Sequence, residues 1–327
     1  MLMVAKMNDL TESKIRLYEK LCHDLGQKIQ SMIEDKDIHE IMLNPDGNLW
    51  VDSVSQGLVQ LGNLTQVQSF SIINDIAGIH NFVVNHSDPK LETQLPFFKF
   101  MRGERFTAQV PPIVSAPCFT IRKKTETVFS LADYVFTKRM VEGQSNILKT
   151  LIQERKNILV CGGPGSGKTT VTNALINEAI QSDERQRFII LEDTPEIVCV
   201  APNTVSMVTS DNVTLRELLR AAMRMRPDRI LIGEVRGAET HDMLKAWNTG
   251  CPGGICTVHA NGAEEAIQRI TDLAMEAGLV SPPIGLVLQT VDAIVSVIRV
   301  QSEKGFINEI LSLEGYQNGK FEFKKMA

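Results

Sequence analysis

Residues 157–180 read NILVCGGPGSGKTTVTNALINEAI, a buried run, a glycine loop and a helical segment in succession. Asn157 to Cys161 is a short apolar run without polar alternation, the signature of a strand buried on both faces. Gly162-Gly163-Pro164-Gly165-Ser166-Gly167-Lys168-Thr169 then matches G-x-x-x-x-G-K-[ST]. Lys168 to Ile180 continues as a helix-forming segment, so the glycines lie between strand and helix, the context this motif requires. Glycines let backbone N–H groups turn inward toward an anion, and the following helix presents its positive end to the same point. The expected ligands are ATP and Mg²⁺, gripped by the motif residues together with Thr170. Lys168 is expected on the β- and γ-phosphates and the Thr169 hydroxyl on the metal.

Hydrolysis also needs groups that hold the metal and orient water, and acids at the ends of other buried strands are the candidates. RFIILEDTPEI (187–197) sets Glu192 and Asp193 just past an apolar run, with Glu196 one turn onward. RPDRILIGEVRG (226–237) ends a second such run at Gly233-Glu234, and GGICTVH (253–259) ends another at His259. In a parallel sheet the carboxyl ends of neighbouring strands share one edge with the phosphate loop. Glu234 is expected to polarise the attacking water. Glu192 and Asp193 are expected to hold Mg²⁺ through water or to assist that water, and His259 to lie where an imidazole could meet a γ-phosphate.

Helical stretches separate these runs: Lys168 to Ile180, Thr214 to Met225, Ala238 to Trp247 and Glu264 to Ala277. Strand and helix in alternation predict an α/β domain with a mostly parallel sheet. The tail returns to antiparallel signals, with Gln317-Asn318-Gly319-Lys320 joining two strand-like runs. The first third reads differently. Ser13 to Asp35 is an amphipathic helix, and Leu64 to Val84 a second one. Ile38 to Leu43 and Asn48 to Asp52 flank the tight turn Asn44-Pro45-Asp46-Gly47, and PFFKFMR, ERFTAQV and CFTIRK read as further strands. These elements predict an α+β domain with an antiparallel sheet. The expected division is 1–124, a linker at 125–135, and 136–327.

With 43% hydrophobic and 22% charged residues over 327 positions, disordered and fibrous classes are excluded. A net charge of −5 argues against coating nucleic acid by bulk attraction. The longest apolar stretch, Ile284 to Val300, carries Gln289, Asp292 and Arg299, so no bilayer span is expected. The amino end lacks the apolar core and cleavage site of a secretory signal, and the six scattered cysteines form no CxxC pair. The expectation is a soluble cytoplasmic protein. Arg216, Arg220 and Arg224 fall on one helix face and read as a solvated or subunit-contact stripe.

Taken together, these blocks resemble the secretion ATPase superfamily, the motors of type II and type IV secretion. The phosphate loop, LEDTPEI (its Asp box), LIGEVRGAET (its Walker B) and GGICTVHA (its His box) occur in the family's order. MLNPDGNLWVD, GERFTAQVPPIVSAPCFTIRK and MRPDRILIGEVRGAE followed by LKAWNTG resemble in particular the TrbB-like ATPases of conjugal transfer. The resemblance implies a RecA-like P-loop domain and a PAS-like amino-terminal domain that covers the nucleotide cleft. It implies a homo-oligomer, a hexameric ring, working with conjugation or secretion proteins at the inner face of the bacterial inner membrane, without sequence-specific contact to nucleic acid. On matching positions, Arg122 and Arg105 look like arginines that the amino-terminal domain supplies to the phosphates, and Arg236 like the Walker B arginine. Cys251 stands where family members commonly carry histidine, and the tetracysteine zinc element of type II secretion ATPases is absent, which favours the type IV side. Two rivals share parts of the chemistry. A ring helicase or DNA-packaging ATPase would be stimulated by DNA. A nucleotide switch would need a degraded water-positioning site, yet Glu192, Glu234 and His259 are all present.

Overall fold

In the computed structural model the described residues are 12–53, 55–123, 128–210, 212–300 and 303–326. Two units emerge, Met1–Thr125 and Glu126–Ala327. Residues 1–11, and residues 124–127 at the expected domain boundary, lie outside the described residues.

The first unit opens with α1 (Glu12–Glu34), kinked at Gly26, followed by β1 (Ile38–Leu43), β2 (Asn48–Ser53) and β3 (Gly57–Asn63). Then come α2 (Gln66–Ile79), β4 (Lys90–Gln94), the two-residue strands β5 (Phe97–Phe98) and β6 (Met101–Arg102), β7 (Arg105–Gln109) and β8 (Cys118–Arg122). Six strands form one antiparallel sheet in the order β3-β2-β1-β8-β7-β4. Alternate residues point to one face: Ile41, Leu49, Val51, Phe106 and Ile121 are buried there with Leu21, Leu25, Ile72 and Ile76 of the helices. The Asn44–Gly47 turn joins β1 and β2 as the sequence predicts. Two expectations change. PFFKFMR is not one strand but a separate small hairpin, Phe97 opposite Arg102 and Phe98 opposite Met101. The second helix is shorter than Leu64 to Val84: a capping box of Thr65 and Gln68 starts it, and it ends at Ile79, just before Asn81 adopts a φ of 60°.

The second unit contains α3 (Leu131–Phe136), α4 (Glu142–Gln153), β9 (Ile158–Gly162), α5 (Lys168–Ser182), β10 (Phe188–Glu192) and β11 (Thr204–Val208). Next are α6 (Leu215–Ala222), β12 (Arg229–Glu234), α7 (Glu239–Asn248), β13 (Ile255–His259), α8 (Ala263–Met275) and α9 (Ile284–Thr290). β14 (Ala293–Val300), β15 (Glu303–Gln317) and β16 (Lys320–Lys325) close the chain. The sheet order is β11-β10-β12-β13-β9-β14-β15-β16, parallel through β14 and antiparallel beyond it. Both faces are covered. Leu159, Cys161, Ile189 and Leu191 pack with α6 to α9, while Ile158, Val160, Phe188 and Ile190 pack with α3 to α5. That two-sided burial is why the parallel strands read as unbroken apolar runs. The arginine stripe of α6 pairs with α7: Arg216 lies 2.5 Å and Arg220 4.0 Å from Asp242. Among the described residues, no helix is long and apolar enough to cross a membrane.

Candidate active site

β9 delivers the chain into the loop 162–167, and α5 begins at Lys168. Gly165 (φ 65°) and Gly167 (φ 98°) take left-handed backbone that side-chain-bearing residues avoid, and this lets the loop turn back over the start of α5. Gly167 is the N-cap residue and has no side chain to occupy the helix's first amides. A Cβ at Gly163 or Gly165 would meet no atom within 4 Å, so the loop is open on those sides. Lys168 is only 7% exposed, and its Nζ donates to Gly162 O (3.0 Å), Gly163 O (3.0 Å) and His259 Nδ1 (3.2 Å). A nearly buried ammonium on the loop, beside the amino end of a 15-residue helix, fits a polyphosphate. The Thr169 hydroxyl donates to Glu196 Oε2 at 3.1 Å, a pairing of hard oxygens that fits Mg²⁺. Ser166 anchors the loop, its carbonyl accepting from Gly305 N at 2.7 Å.

Strand order does the rest of the assembly. β13 lies beside β9 with His259 opposite Gly162, β12 lies beside β13, and β10 beside β12. His259, Glu234 and Glu192 therefore end three successive strands on the edge that carries the phosphate loop. His259 Nε2 lies 3.3 Å from Glu234 Oε1, and Arg236 Nη2 lies 3.1 Å from Glu234 Oε2. Lys168, His259, Glu234 and Arg236 thus form one connected row. Hydrogen bonding to Glu234 holds the Arg236 guanidinium above its ordinary pKa, reinforced by the charges of Glu234, Asp193 and Glu196.

Glu192 is 4% exposed, and its Oε1 accepts from the backbone amides of Glu196 and Ile197, both at 2.8 Å. It folds the segment after β10 back toward α5. Gly233 leaves room beside it, since a Cβ there would stand 3.0 Å from Glu192 Cγ. Asp193 starts no helix; its carboxylate accepts from the Thr209 hydroxyl at 3.0 Å. Thr170 follows Thr169 in the first turn of α5 and is half-buried. Arg105 and Arg122 belong to the first unit, where they face each other across β7 and β8. With Glu40, Thr107 and Thr120 they line a surface pocket of about 250 Å³.

Two residues join the site that sequence reasoning leaves unassigned. Glu196, and not Asp193, is the acid bonded to Thr169. Asn173 pins the same segment: its Oδ1 accepts from Val198 N (3.0 Å), and its Nδ2 donates to Glu196 O (3.4 Å). Thr169 and Asn173 are four residues apart on a helix, so a shared face was the available signal.

A family model described as type II/IV secretion system protein matches residues 97–317. The conjugal transfer protein TrbB of Rhizobium radiobacter is 41% identical over 315 residues, covering 95% of each chain. The type IV secretion system protein VirB11 of Bartonella henselae is 31% identical, covering 85% of this chain and 89% of its own. The crystal structure of the Legionella pneumophila ATPase DotB has the same fold, with a TM-score of 0.60 at 20% identity over 90% of this chain and 77% of that one. The chain belongs to the type II/IV secretion system family, as a secretion ATPase close to the TrbB conjugal transfer proteins.

Proposed function

We propose that this chain is the motor of a conjugative type IV secretion system and hydrolyses ATP to ADP and phosphate in its RecA-like second unit. The observation that carries the reading is the meeting of Lys168, Thr169, Glu192, Glu234 and His259 at one sheet edge.

The loop amides and Lys168 bind and orient the phosphates. Thr169 would hold Mg²⁺, with Glu196 beside it and Glu192 and Asp193 acting through water; the metal would supply charge neutralisation to the phosphates. Glu192 has one oxygen engaged by two amides, which fits it to shaping the Glu196 segment. Glu234 is left as the group that orients and polarises the attacking water, while Arg236 steadies its second oxygen.

The family likeness supports the remaining parts of the proposal. Residues 1–124 would form a PAS-like domain covering the nucleotide cleft, with a linker at 125–135 and the ATPase domain over 136–327. Arg105 and Arg122 would reach the phosphates from that domain and stabilise charge developing there. Chains would assemble as a hexameric ring at the cytoplasmic face of the inner membrane, acting on the conjugation machinery. Steady-state phosphate release by the wild type, Lys168→Ala and Glu234→Gln tests the reading. Turnover in the wild type, lost in both variants, is expected; equal turnover in all three contradicts it. A large stimulation by single-stranded DNA would favour a helicase instead.

A further inference from the structure

The row Lys168–His259–Glu234 fixes the protonation of its central imidazole. An ammonium carries N–H donors and no acceptor, so His259 Nδ1, 3.2 Å from Lys168 Nζ, must be the bare, accepting nitrogen. A carboxylate only accepts, so Nε2, 3.3 Å from Glu234 Oε1, must carry the hydrogen. His259 is therefore a neutral imidazole of defined tautomer. A proton on Nδ1 would place an imidazolium N–H against the Lys168 ammonium, like charge against like.

Phosphate binding removes that obstacle. To reach the β- and γ-phosphates, Lys168 must give up contacts in the loop, and its charge turns toward the anion. Nδ1 then loses its donor while negative charge arrives beside it and Glu234 remains on Nε2. We infer that binding of a nucleoside triphosphate is coupled to uptake of one proton from solvent by His259 Nδ1, which turns the imidazole into a cationic bridge between Glu234 and the terminal phosphoryl group. The balance is simple: one proton leaves bulk buffer, one N–H bond forms at Nδ1, and no other bond changes. Solvent can deliver it, because the His259 side chain is 43% exposed. Charged groups set against the imidazole or its partners include Lys168 and Glu234, with Arg236 on Glu234 and Asp193 and Glu196 acting on Arg236 in turn. The coupling gives His259 a positioning role: it reports to Glu234 that Lys168 has moved onto phosphate.

The inference rests on the ATP-binding reading above, and one experiment separates the two. Binding of ATPγS with Mg²⁺, whose terminal group stays ionised in this range, is followed by titration calorimetry in buffers of different ionisation enthalpy. The wild type is expected to take up about 0.5–1 proton near pH 7.5, and His259→Gln close to none. Because the complex binds more protons than the free protein, wild-type affinity should fall as pH rises, by up to about tenfold per unit between pH 7 and 8.5. This slope needs no variant. Binding without proton uptake, a flat pH dependence, or equal uptake in both proteins overturns the His259 coupling alone. No binding by the wild type overturns the ATP reading and the coupling with it.

Discussion

At the scale of single residues, the proposed site would divide its work between groups that touch phosphate and groups that hold them in place. Lys168→Ala removes the buried cation of the loop, and nucleotide affinity measured by fluorescence titration should fall at least about tenfold. Wild-type affinity in that variant would contradict the placement of Lys168. Glu196 bonds the Thr169 hydroxyl and Asn173 holds the Glu196 segment, so in the proposed site their variants should read differently. Glu196→Gln should raise the Mg²⁺ concentration needed for half-maximal hydrolysis several-fold while leaving metal-free nucleotide binding unchanged. An unaltered Mg²⁺ requirement would remove Glu196 from the metal's surroundings. The positions of Glu192, Glu234 and His259 at strand ends are legible in the sequence because each ends a short apolar run, and that of Lys168 because it follows the glycine loop and opens a helix. Glu196 and Asn173 are not, because their roles arise only when the segment after Glu192 folds back on α5, a step fixed by two backbone amides bonded to one carboxylate.

At the scale of elements, legibility follows burial. β9, β10, β12 and β13 are covered on both faces and announce themselves as apolar runs. β4 (KLETQ) and β11 (TVSMV) lie at sheet edges, half exposed, and their polar composition hides them. β14 is hidden differently. The stretch Ile284 to Val300 is mostly apolar on both sides of Asp292, and periodicity alone cannot separate a buried strand from a buried helix. The structure breaks it into α9 and β14 at Asp292, whose carboxylate accepts from Asn157 N at 2.8 Å and pairs with Lys156 at 3.2 Å. In the first unit, Asp24 joins α1 to α2. The Ser71 hydroxyl bonds its carboxylate and, with His23 and Lys20, holds it well below the usual carboxylate range. That depressed value makes the carboxylate stabilising above its unfolded pKa of about 3.9, and the contribution fades as acid carries the pH below it. Asp24→Asn should therefore cost about 1 kcal/mol at pH 7 by denaturant unfolding, with a gap to wild type that narrows toward about pH 2. A gap that widens in acid would contradict the sign.

At the scale of the whole molecule, two kinds of sheet grammar distinguish the two units: alternating burial in the antiparallel first sheet, continuous burial in the parallel second one. Both patterns are readable from residue order, as is the terminal hairpin, where Asn318 and Gly319 both take positive φ between β15 and β16. If the chain works as a ring, light scattering after gel filtration with Mg²⁺ and ATPγS should show a species of six chains. A monomer at every concentration would contradict the ring. The chemistry proposed at one sheet edge is open to a single-turnover measurement. ATP bound to Glu234→Gln is quenched at intervals and its cleavage compared with wild type. The variant is expected to hold ATP intact while cleavage slows by about 10²-fold or more. Cleavage at the wild-type rate would contradict that chemistry.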